Sequence, residues 1–433
     1  MQPLPRRKAC ATNEGKLPIG GLSRSLDMVK KPMKLNPAHA IFDGNMFVQL
    51  RGLLESVTPP ANLGVLDMSI GEPQQPPAAL LIDSVMRHND QWQFYPKATG
   101  SPRFTAAIEG YIARRWPEAA GLADASQIIP VPGTREPLHL LGHLVTASKP
   151  NAAALVTNPF YHAWRAGALA SGGETIWLNS GANQNFLPNL HAVASADLDR
   201  ASILYLCSPT NPQGSVMDMD YLVDVIRLAR KHDFLLVMDE CYADIWRGSP
   251  PTGLMQAAAL VASQDGITGD ADPLANFVVL NSLSKRSGAA GLRAGFMVGD
   301  RQVVAQYLKL VGNGGSLVPT PLLAVAADLY DDEAHVVAIR AYYDANFALV
   351  EKHLGIAAPQ GGFFLWLKVD DDIEFVKRLM AEQAVKAVPG SFMGLETDDG
   401  NPGAGYVRLA LVHDAESTDE ALSRVAKIYK SHQ

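Results

Sequence analysis

A lysine and an arginine eight residues apart occupy one polar turn of the sequence. The turn reads NSLSKRSGAAGLRAGFMVGD from Asn281 to Asp300, directly after the β-rich run FVVL, and it carries Lys285 and Arg293. A lysine at the end of a buried strand is costly to desolvate, so it often has a lowered pKa or a covalent partner. The neighbouring hydroxyls and the second cation indicate a partner that carries an anion, such as a phosphate. A surface turn with incidental charges is the alternative.

Two other stretches carry residues that suit the same chemistry. The run FLLVMDE ends at Asp239, with Tyr242 three residues further on. A buried carboxylate needs a cationic partner, and a protonated pyridine nitrogen supplies one; a metal or an acid–base pair with Glu240 is the alternative. Gly133 and Thr134 open a predicted helix, where free N–H groups and a hydroxyl would hold a phosphate, or would form a plain N-cap.

These residues together lead to a working hypothesis. Lys285 forms a Schiff base with pyridoxal 5′-phosphate (PLP), and the cofactor ring lies against the other strand ends. Asn211, after the run ILYLCSP, could donate to the ring's phenolate oxygen, and the aromatic residues at 160–164 could stack on the ring. A turn and core packing are the respective alternatives.

Alternating strands and helices would position these residues. The apolar runs are IIPV, ALVTNP, ETIWL, ILYLCSP, FLLVMDE and FVVLNSLS, and helical stretches such as Arg135 to Ala147 and Met219 to His232 separate most of them. Short apolar strands that alternate with helices predict an α/β fold with a mostly parallel sheet covered on both faces. Ligands of such sheets bind at the carboxyl ends of the strands.

Length, charge and cysteine content narrow the class of protein. The 433 residues suffice for two or three domains, or for one large α/β unit with an appended lobe. A net charge of −7 argues against nucleic acid as a partner. Three scattered cysteines, and His139 and His143 without an acidic companion, predict no metal site. No apolar run approaches the roughly 18 residues of a membrane span, so a cytoplasmic location is the default expectation.

The first 34 residues differ in composition from the rest. They contain eight Lys or Arg residues against Glu14 and Asp27. We predict a disordered extension at 1–34 without a catalytic role, with a transit peptide or an upstream start before Met28 or Met33 as alternatives. The predicted domains are an N-terminal arm with part of the smaller domain at 35–74, a large cofactor-binding domain at 75–318, and a small α+β domain at 319–433.

Nine short motifs in a fixed order resemble the class I/II aminotransferases of PLP fold type I. They are SIGEP, Y-x4-G, GTRE, NPFY, NPxG, DExY, SxSKxxxxxGLRxG, GFFLW and YVRLAL, and they extend over residues 65 to 415. The resemblance implies a large domain with a mostly parallel, seven-stranded sheet covered by helices, plus a smaller α+β domain. It also implies a ping-pong Schiff-base mechanism and a homodimer with shared active sites.

Matching positions carry the family's cofactor roles onto this sequence. Lys285 would be the Schiff-base lysine and proton shuttle, Asp239 would bind the pyridinium nitrogen, and Asn211 and Tyr242 would bind the ring oxygen. Tyr161 would stack on the ring. The remaining cofactor-binding residues would be Gly133, Thr134, Arg135, Ser282, Ser284 and Arg293, together with Tyr95 reaching in from a second subunit.

The same resemblance assigns the substrate side. Arg408 would clamp the α-carboxylate bidentately, which a planar guanidinium does better than an ammonium. Gly71 and Asn211 would line the substrate side. The lysine loop, NPFY and NPGAGYVRLALV are most similar to N-succinyldiaminopimelate aminotransferases of lysine biosynthesis, which implies that substrate with 2-oxoglutarate. Its distal carboxylate needs a cation, and Arg135, Arg286 and Lys97 remain open as candidates.

Other functions remain alternatives at this point. The enzyme could be an aspartate, alanine or aromatic aminotransferase, or another fold type I PLP enzyme such as a β-lyase or a decarboxylase. Cofactor electronics permit these outcomes, and substrate orientation decides between them. A ligand-sensing domain of a transcription regulator is disfavoured, because a basic tail of about 35 residues is shorter than a usual helix-turn-helix domain. NAD binding is disfavoured because no GxGxxG follows a strand.

Overall fold

The computed structural model describes residues 37–42, 45–145 and 147–430. The chain divides into two units, residues 1–43 and 44–433. In the first unit the described residues form a 3-10 helix at Pro37–Phe42. The predicted disordered extension at 1–34 lies outside the described residues. All elements named below belong to the second unit.

Helices and strands of the second unit alternate through most of its length. The α-helices are α1 Met46–Leu54, α2 Ala79–Arg87, α3 Pro102–Arg115, α4 Arg135–Leu144, α5 His162–Ser171, α6 Ser195–Arg200, α7 Met219–His232, α8 Leu254–Gln264, α9 Leu283–Arg286, α10 Arg301–Gly314, α11 Thr320–Asp331, α12 Ala334–Leu354, α13 Asp372–Gln383 and α14 Ala415–Tyr429. The strands are β1 Leu66–Asp67, β2 Ile128–Val131, β3 Ala153–Asn158, β4 Glu174–Asn179, β5 Ala201–Cys207, β6 Leu235–Asp239, β7 Phe277–Ser282, β8 Gly295–Gly299, β9 Phe364–Lys368, β10 Val385–Lys386, β11 Val388–Pro389 and β12 Tyr406–Ala410. Within the described ranges, no helix has both the length and the apolar character that crossing a membrane requires.

The large sheet has seven strands in the order β2-β8-β7-β6-β5-β3-β4. Six of them run in the same direction, and β8 is antiparallel to both of its neighbours. This confirms the predicted mostly parallel α/β fold. The six apolar runs correspond to β2 through β7. The seventh strand, GFMVG, was not among the predicted runs, because five residues bounded by two glycines give little periodic signal.

Both faces of the large sheet are buried. Strand β5, ASILYLC, is buried along its whole length, and its side chains alternate between two hydrophobic clusters. Leu204 and Leu206 join one cluster, while Ile203 and Tyr205 join the other. Successive side chains of a strand point to opposite faces of the sheet. Strand β5 can therefore pack into two hydrophobic cores only if helices cover both sides of the sheet. In sheets covered on both faces, ligands bind at the carboxyl ends of the strands.

Two small sheets lie outside the large one. Strands β11, β12 and β9 form an antiparallel sheet, and β1 pairs in parallel with β10 through Leu66 and Val385. The β1 pairing brings the segment before the large sheet together with strands that follow it in the chain. A third hydrophobic cluster, which includes Leu367, Leu409 and Val425, joins this sheet to α12, α13 and α14. The predicted domain boundaries at 74/75 and 318/319 remain predictions.

Helix ends follow their capping residues. The predicted bounds of α7 match to the residue, whereas the helix predicted over 135–147 ends at Leu144 as α4. The first turns of α3 and α7 are capped by Ser101, which accepts from Phe104 N at 3.2 Å, and by Asp218. The residues Ser417-Thr418-Asp419-Glu420 fit the S-x-x-E pattern of a capping box and predict the start of the last helix at Ser417, but this prediction is wrong. The N-cap of α14 is Asp414, three residues before Ser417, because Asp414 accepts from the Ser417 amide at 2.7 Å, and a carboxylate is a strong N-cap.

Candidate active site

A cavity of about 520 Å³ opens where the carboxyl ends of β5, β6 and β7 face the small antiparallel sheet. Twelve of the fourteen predicted site residues line it. They are Gly71, Thr134, Arg135, Tyr161, Asn211, Asp239, Tyr242, Ser282, Ser284, Lys285, Arg293 and Arg408. The cavity thus unites residues that are as far as 337 positions apart in the sequence.

Lys285 lies in the short helix α9, just beyond the end of β7. Its Nζ atom donates a hydrogen bond to the carbonyl oxygen of Gly71 at 2.5 Å and lies 5.0 Å from the ring centroid of Phe363. Burial lowers the pKa of Lys285 from 10.5 to about 8. Near neutral pH an appreciable fraction of this amine is therefore neutral and able to act as a nucleophile or a base.

Asp239 ends the neighbouring strand β6 and is buried. One carboxylate oxygen accepts from the Cys241 amide at 3.1 Å, and the other lies 3.4 Å from the Thr134 hydroxyl. Within the described ranges, Asp239 takes part in no ion pair. Burial raises its pKa to about 6. The site therefore holds a carboxylate that a cation inside the cavity would satisfy.

The antiparallel strand β8 brings a third group of residues to the same edge. Gly295, its first residue, pairs with Val131 at the end of β2 and with Ser282 at the end of β7. Arg293 and Gly133, which flank these strand ends, consequently lie side by side. Gly133 has a φ of +77°, a left-handed conformation that favours glycine, and a Cβ atom there would lie 2.7 Å from Arg293 Nη2.

Hydroxyl groups and the Arg293 side chain complete this corner. Ser282 Oγ lies 3.0 Å from Ser284 Oγ and accepts from the Ser284 amide at 3.1 Å. Arg293 Nη2 donates to the carbonyl oxygen of Pro132 at 2.7 Å. Two hydroxyls, a guanidinium and the start of α4 offer a set of donors that an anionic group would accept from.

Another part of the cavity wall combines aromatic and polar side chains. Asn211 Nδ2 donates to the Tyr242 hydroxyl at 3.5 Å, and Arg135 Nε donates to the Tyr161 hydroxyl at 3.2 Å. Burial raises the pKa of both phenols. The two tyrosines therefore stay protonated and can donate a hydrogen bond inside the cavity.

Arg408 enters the cavity from β12 of the small sheet. Its Nη2 atom donates to Ser69 O at 2.8 Å, its Nη1 atom lies 3.4 Å from Asn211 Oδ1, and it lies over the ring of Phe364 at 4.5 Å. No acidic side chain in the described part of the chain pairs with it, and its buried Nε is without a partner. Burial lowers the pKa of Arg408 to about 10, so the guanidinium remains charged near neutral pH.

Four residues named from the sequence lie outside this cavity. Gly133 lies directly behind Arg293, as described above. Tyr95 is 97% exposed in the single chain, and Lys97 is also exposed. Arg286 is 1% exposed and forms ion pairs with Asp244 and Glu333. Of the three cations considered for a distal carboxylate, Arg135 alone is among the residues that line the cavity.

The cavity also contains residues that the sequence did not single out for a role. His162, Phe364 and Glu72 line it, and burial lowers the pKa of His162 to about 4. Each stands within a few residues of a predicted site residue or inside a quoted motif. Across the described residues, no group of three or more His, Cys, Asp or Glu side chains could hold a metal ion.

The fold and this cavity define a family. Residues 64–425 match the aminotransferase class I and II family, so the chain belongs to it. A probable aminotransferase of Mycobacterium tuberculosis is 29% identical over 369 residues, which cover 84% of this chain and 80% of that protein. An LL-diaminopimelate aminotransferase of Moorella thermoacetica is 25% identical over 376 residues, covering 84% and 90%.

A solved structure shows the same architecture. An aminotransferase from Neisseria meningitidis superposes with a TM-score of 0.84 at 30% identity, over 91% of this chain and all of that one. The protein is therefore a class I/II aminotransferase with the fold of its family.

Proposed function

We propose that this aminotransferase uses PLP and transfers an amino group from an amino acid with a distal carboxylate, N-succinyldiaminopimelate in the first place, to 2-oxoglutarate. One observation carries the proposal: Lys285, Asp239 and Arg408 line one cavity, and none of the three forms an ion pair with another side chain in the described part of the chain. An amine, a carboxylate and a guanidinium so placed suit a reaction on a bound amino acid.

The residues present fit PLP, which the family implies. No cation among the described residues pairs with Asp239, which leaves its carboxylate available to a protonated ring nitrogen, and Lys285 lies in the same cavity. Ser282, Ser284 and Arg293 would hold the phosphate at the corner beside Gly133. Tyr161, Asn211 and Tyr242 would bind the ring face and the ring oxygen.

Lys285, Arg408 and Asp239 would each have a separate role in the reaction. When bound, PLP supplies an electron-withdrawing ring that stabilises negative charge at the substrate Cα. Lys285 would anchor the cofactor and, as an amine with a lowered pKa, take a proton from the substrate Cα and return it. Arg408 would fix the α-carboxylate and so orient the Cα–H bond toward Lys285. Asp239 would hold the ring nitrogen protonated.

We assign to Arg135 the binding of the substrate's distal carboxylate. This side chain lines the cavity, and its only hydrogen bond with a side chain in the described ranges goes to a neutral phenol, Tyr161. A guanidinium without an anionic partner is suited to a carboxylate. Relatives named LL-diaminopimelate aminotransferases support a long acidic substrate, and a second carboxylate on diaminopimelate would meet this cation.

Absorbance tests the cofactor, and a panel of amino donors tests the reaction. We expect purified protein with PLP to absorb near ~420 nm and the band to shift when an amino acid is added. With 2-oxoglutarate present, N-succinyldiaminopimelate, LL-diaminopimelate, aspartate, alanine and tyrosine are compared by glutamate formation. A protein without the band would contradict PLP use. Release of ammonia or CO₂ instead of glutamate would indicate a β-lyase or a decarboxylase.

The two arginines give a paired prediction about substrate recognition. Arg135→Gln should lower kcat/KM for the acidic donor by about tenfold to a hundredfold, because a charged hydrogen bond is lost, and should leave alanine nearly unchanged. Arg408→Lys should lower kcat/KM for both donors alike, because every amino acid carries the α-carboxylate. Steady-state kinetics with the two donors measure this. If Arg135→Gln lowers kcat/KM equally for both donors, Arg135 does not recognise the distal carboxylate.

A homodimer with shared sites is part of the proposal. An exposed apolar group, Ile82, Met86, Trp92, Phe94 and Tyr95, lies on α2 and the loop after it, with exposures from 53% to 97%. Adjacent exposed aromatic residues are typical of an interface. A second copy would cover them and would bring Tyr95 of the partner subunit to the phosphate corner. A monomer in sedimentation velocity at micromolar concentration would contradict this.

A further inference from the structure

The two residues that follow Lys285 contact one short segment of the chain. This segment, residues 330–335, joins α11 to α12 and is here called the α11–α12 junction. Arg286 and Ser287 both lie within hydrogen-bond distance of it, and both are buried, at 1% and 2% exposure. The turn that carries Lys285 is therefore held from behind, on the side away from the cavity.

Arg286 is the first of these contacts. Its Nη2 atom lies 2.9 Å from Glu333 Oε1 and 3.3 Å from the carbonyl oxygen of Asp332, while Nη1 lies 3.2 Å from Asp244. Its guanidinium also lies over the ring of Tyr111 at 4.9 Å. Charge, hydrogen bonds and an aromatic face thus fix this side chain in one place.

Ser287 is the second contact, and it is made through a histidine. Ser287 Oγ lies 2.8 Å from His335 Nε2, and His335 Nδ1 lies 2.6 Å from Asp332 Oδ1. Because Nδ1 donates to the carboxylate, Nε2 of the neutral ring accepts from the serine hydroxyl. Burial lowers the pKa of His335, which keeps the ring neutral. Asp332 also accepts from the backbone amide of His335 at 2.9 Å.

A serine, a histidine and an aspartate in this order resemble a hydrolase triad, but these residues cannot act as one. The Ser287 side chain belongs to a residue with 2% exposure, and it is not among the residues that line the active-site cavity. No substrate can reach its hydroxyl. A nucleophile must be accessible to the group it attacks, so the chain of hydrogen bonds has to serve another purpose.

Helix α12, which starts at this junction, also contacts the segment that directly follows the strand of Arg408. Asn346 Nδ2 donates to the carbonyl oxygens of Leu411 at 3.0 Å and His413 at 2.9 Å, just after β12. His335 and Asn346 are eleven residues apart on one helix, or about 16 Å at 1.5 Å per residue. One rigid helix thus contacts the lysine turn at its start and the Arg408 strand further along.

We propose that Ser287, His335 and Asp332 form a positioning relay, which ties the turn of Lys285 to α12 and so holds the Lys285 amine in register with the guanidinium of Arg408. The relay rests on the proposed function of Lys285 and Arg408. Ser287 and His335 are positioning residues, because neither touches a reacting atom. Their contribution is to keep the amine within reach of the bond it acts on.

Uptake of PLP by the apoprotein tests the relay. Ser287→Ala removes one hydroxyl, and His335→Gln removes the link to Asp332, so that one variant remains if the other does not fold. We expect both to slow the attachment of PLP to Lys285, followed by absorbance, by about tenfold to a hundredfold, because a displacement of about 1 Å in a reacting group can cost 10²-fold. We also expect kcat to fall while KM for the amino donor changes little, since the Arg408 contacts are intact.

His353 provides a matched control on the same helix. Its Nε2 atom lies 2.8 Å from Asp419, so His353→Gln removes a similar contact away from the lysine turn. We expect this variant to lose thermal stability but to take up PLP at the original rate. If Ser287→Ala and His335→Gln also keep the original uptake rate and kcat, the contacts are structural only and the relay is overturned. If the unaltered protein takes up no PLP, the proposed function itself fails, and the relay with it.

Discussion

Lys285→Ala should lower transamination by about 10⁴-fold or more while leaving the protein folded. In the roles proposed above, Lys285 is both the covalent anchor of the cofactor and the base that moves the Cα proton, and general acid–base catalysis alone contributes up to about 10⁴-fold. Single-turnover absorbance with an excess of amino donor measures the half-reaction directly. Lys309→Ala, an exposed lysine on α10, is the control and should retain full activity. A rate for Lys285→Ala within about tenfold of the original would contradict the assignment.

The unaltered apoprotein offers an independent check on the same lysine. Only the neutral amine attacks the cofactor, so the attachment rate should rise about tenfold per pH unit and level off above pH about 8, the pKa that burial imposes on Lys285. An ordinary lysine would continue to rise toward its usual pKa of 10.5. A rate that still rises steeply between pH 9 and 10 would show that the amine is not desolvated.

Asp239→Asn should reduce activity by roughly 10²- to 10³-fold. Asp239 would pair with the ring nitrogen of the proposed cofactor, and removing one partner of a buried charge pair costs about 2–5 kcal/mol. The same substitution should stabilise the apoprotein against unfolding. Burial raises the pKa of Asp239 from 3.8 to about 6, so the folded state loses stability as pH rises through this window. The asparagine variant should therefore gain about 1–3 kcal/mol above pH 6, and the gain should shrink as pH falls toward 4.

Asp244 supplies the matched control for this prediction. It is buried to the same extent as Asp239, at 3% exposure, but it is paired with Arg286. Asp244→Asn should therefore destabilise the apoprotein at pH 7, since it removes one of the two acidic partners of the buried Arg286. Urea denaturation of both apoproteins at pH 5 and pH 7 separates the two cases. A loss of stability in Asp239→Asn at pH 7 would show that the carboxylate already has a favourable partner.

Much of the fold was predictable because burial on both faces leaves a strong sequence pattern. The runs that became β2 to β7 are continuous and apolar, and each is followed by turn residues. Strand β8 escaped prediction because only three apolar residues stand between its terminal glycines. Its antiparallel direction could not be foreseen, although that direction is what brings Arg293 next to Gly133.

The site was predictable to the extent that it consists of strand ends. Lys285, Asp239 and Arg408 are named by motifs, and their strands converge in space. The roles of adjacent residues were not predictable. Arg286 stands next to Lys285 in sequence, yet successive residues on a helix point about 100° apart, and only the packed structure shows that it turns away from the cavity. Its partner Glu333 is 47 positions away, on a segment without any recognisable motif.

The burial of Asp239 and Lys285 also affects the lifetime of the protein in the cell. Burial moves the pKa of Asp239 up and that of Lys285 down, so the empty chain carries an electrostatic cost that a cationic ring nitrogen and a covalent anchor would relieve. A ligand that binds only the folded state adds about 2.7 kcal/mol at a concentration a hundred times its Kd. Chains made when cofactor is scarce should unfold and be degraded sooner than chains made when it is plentiful. The abundance of the enzyme would then follow cofactor supply without any change in its synthesis.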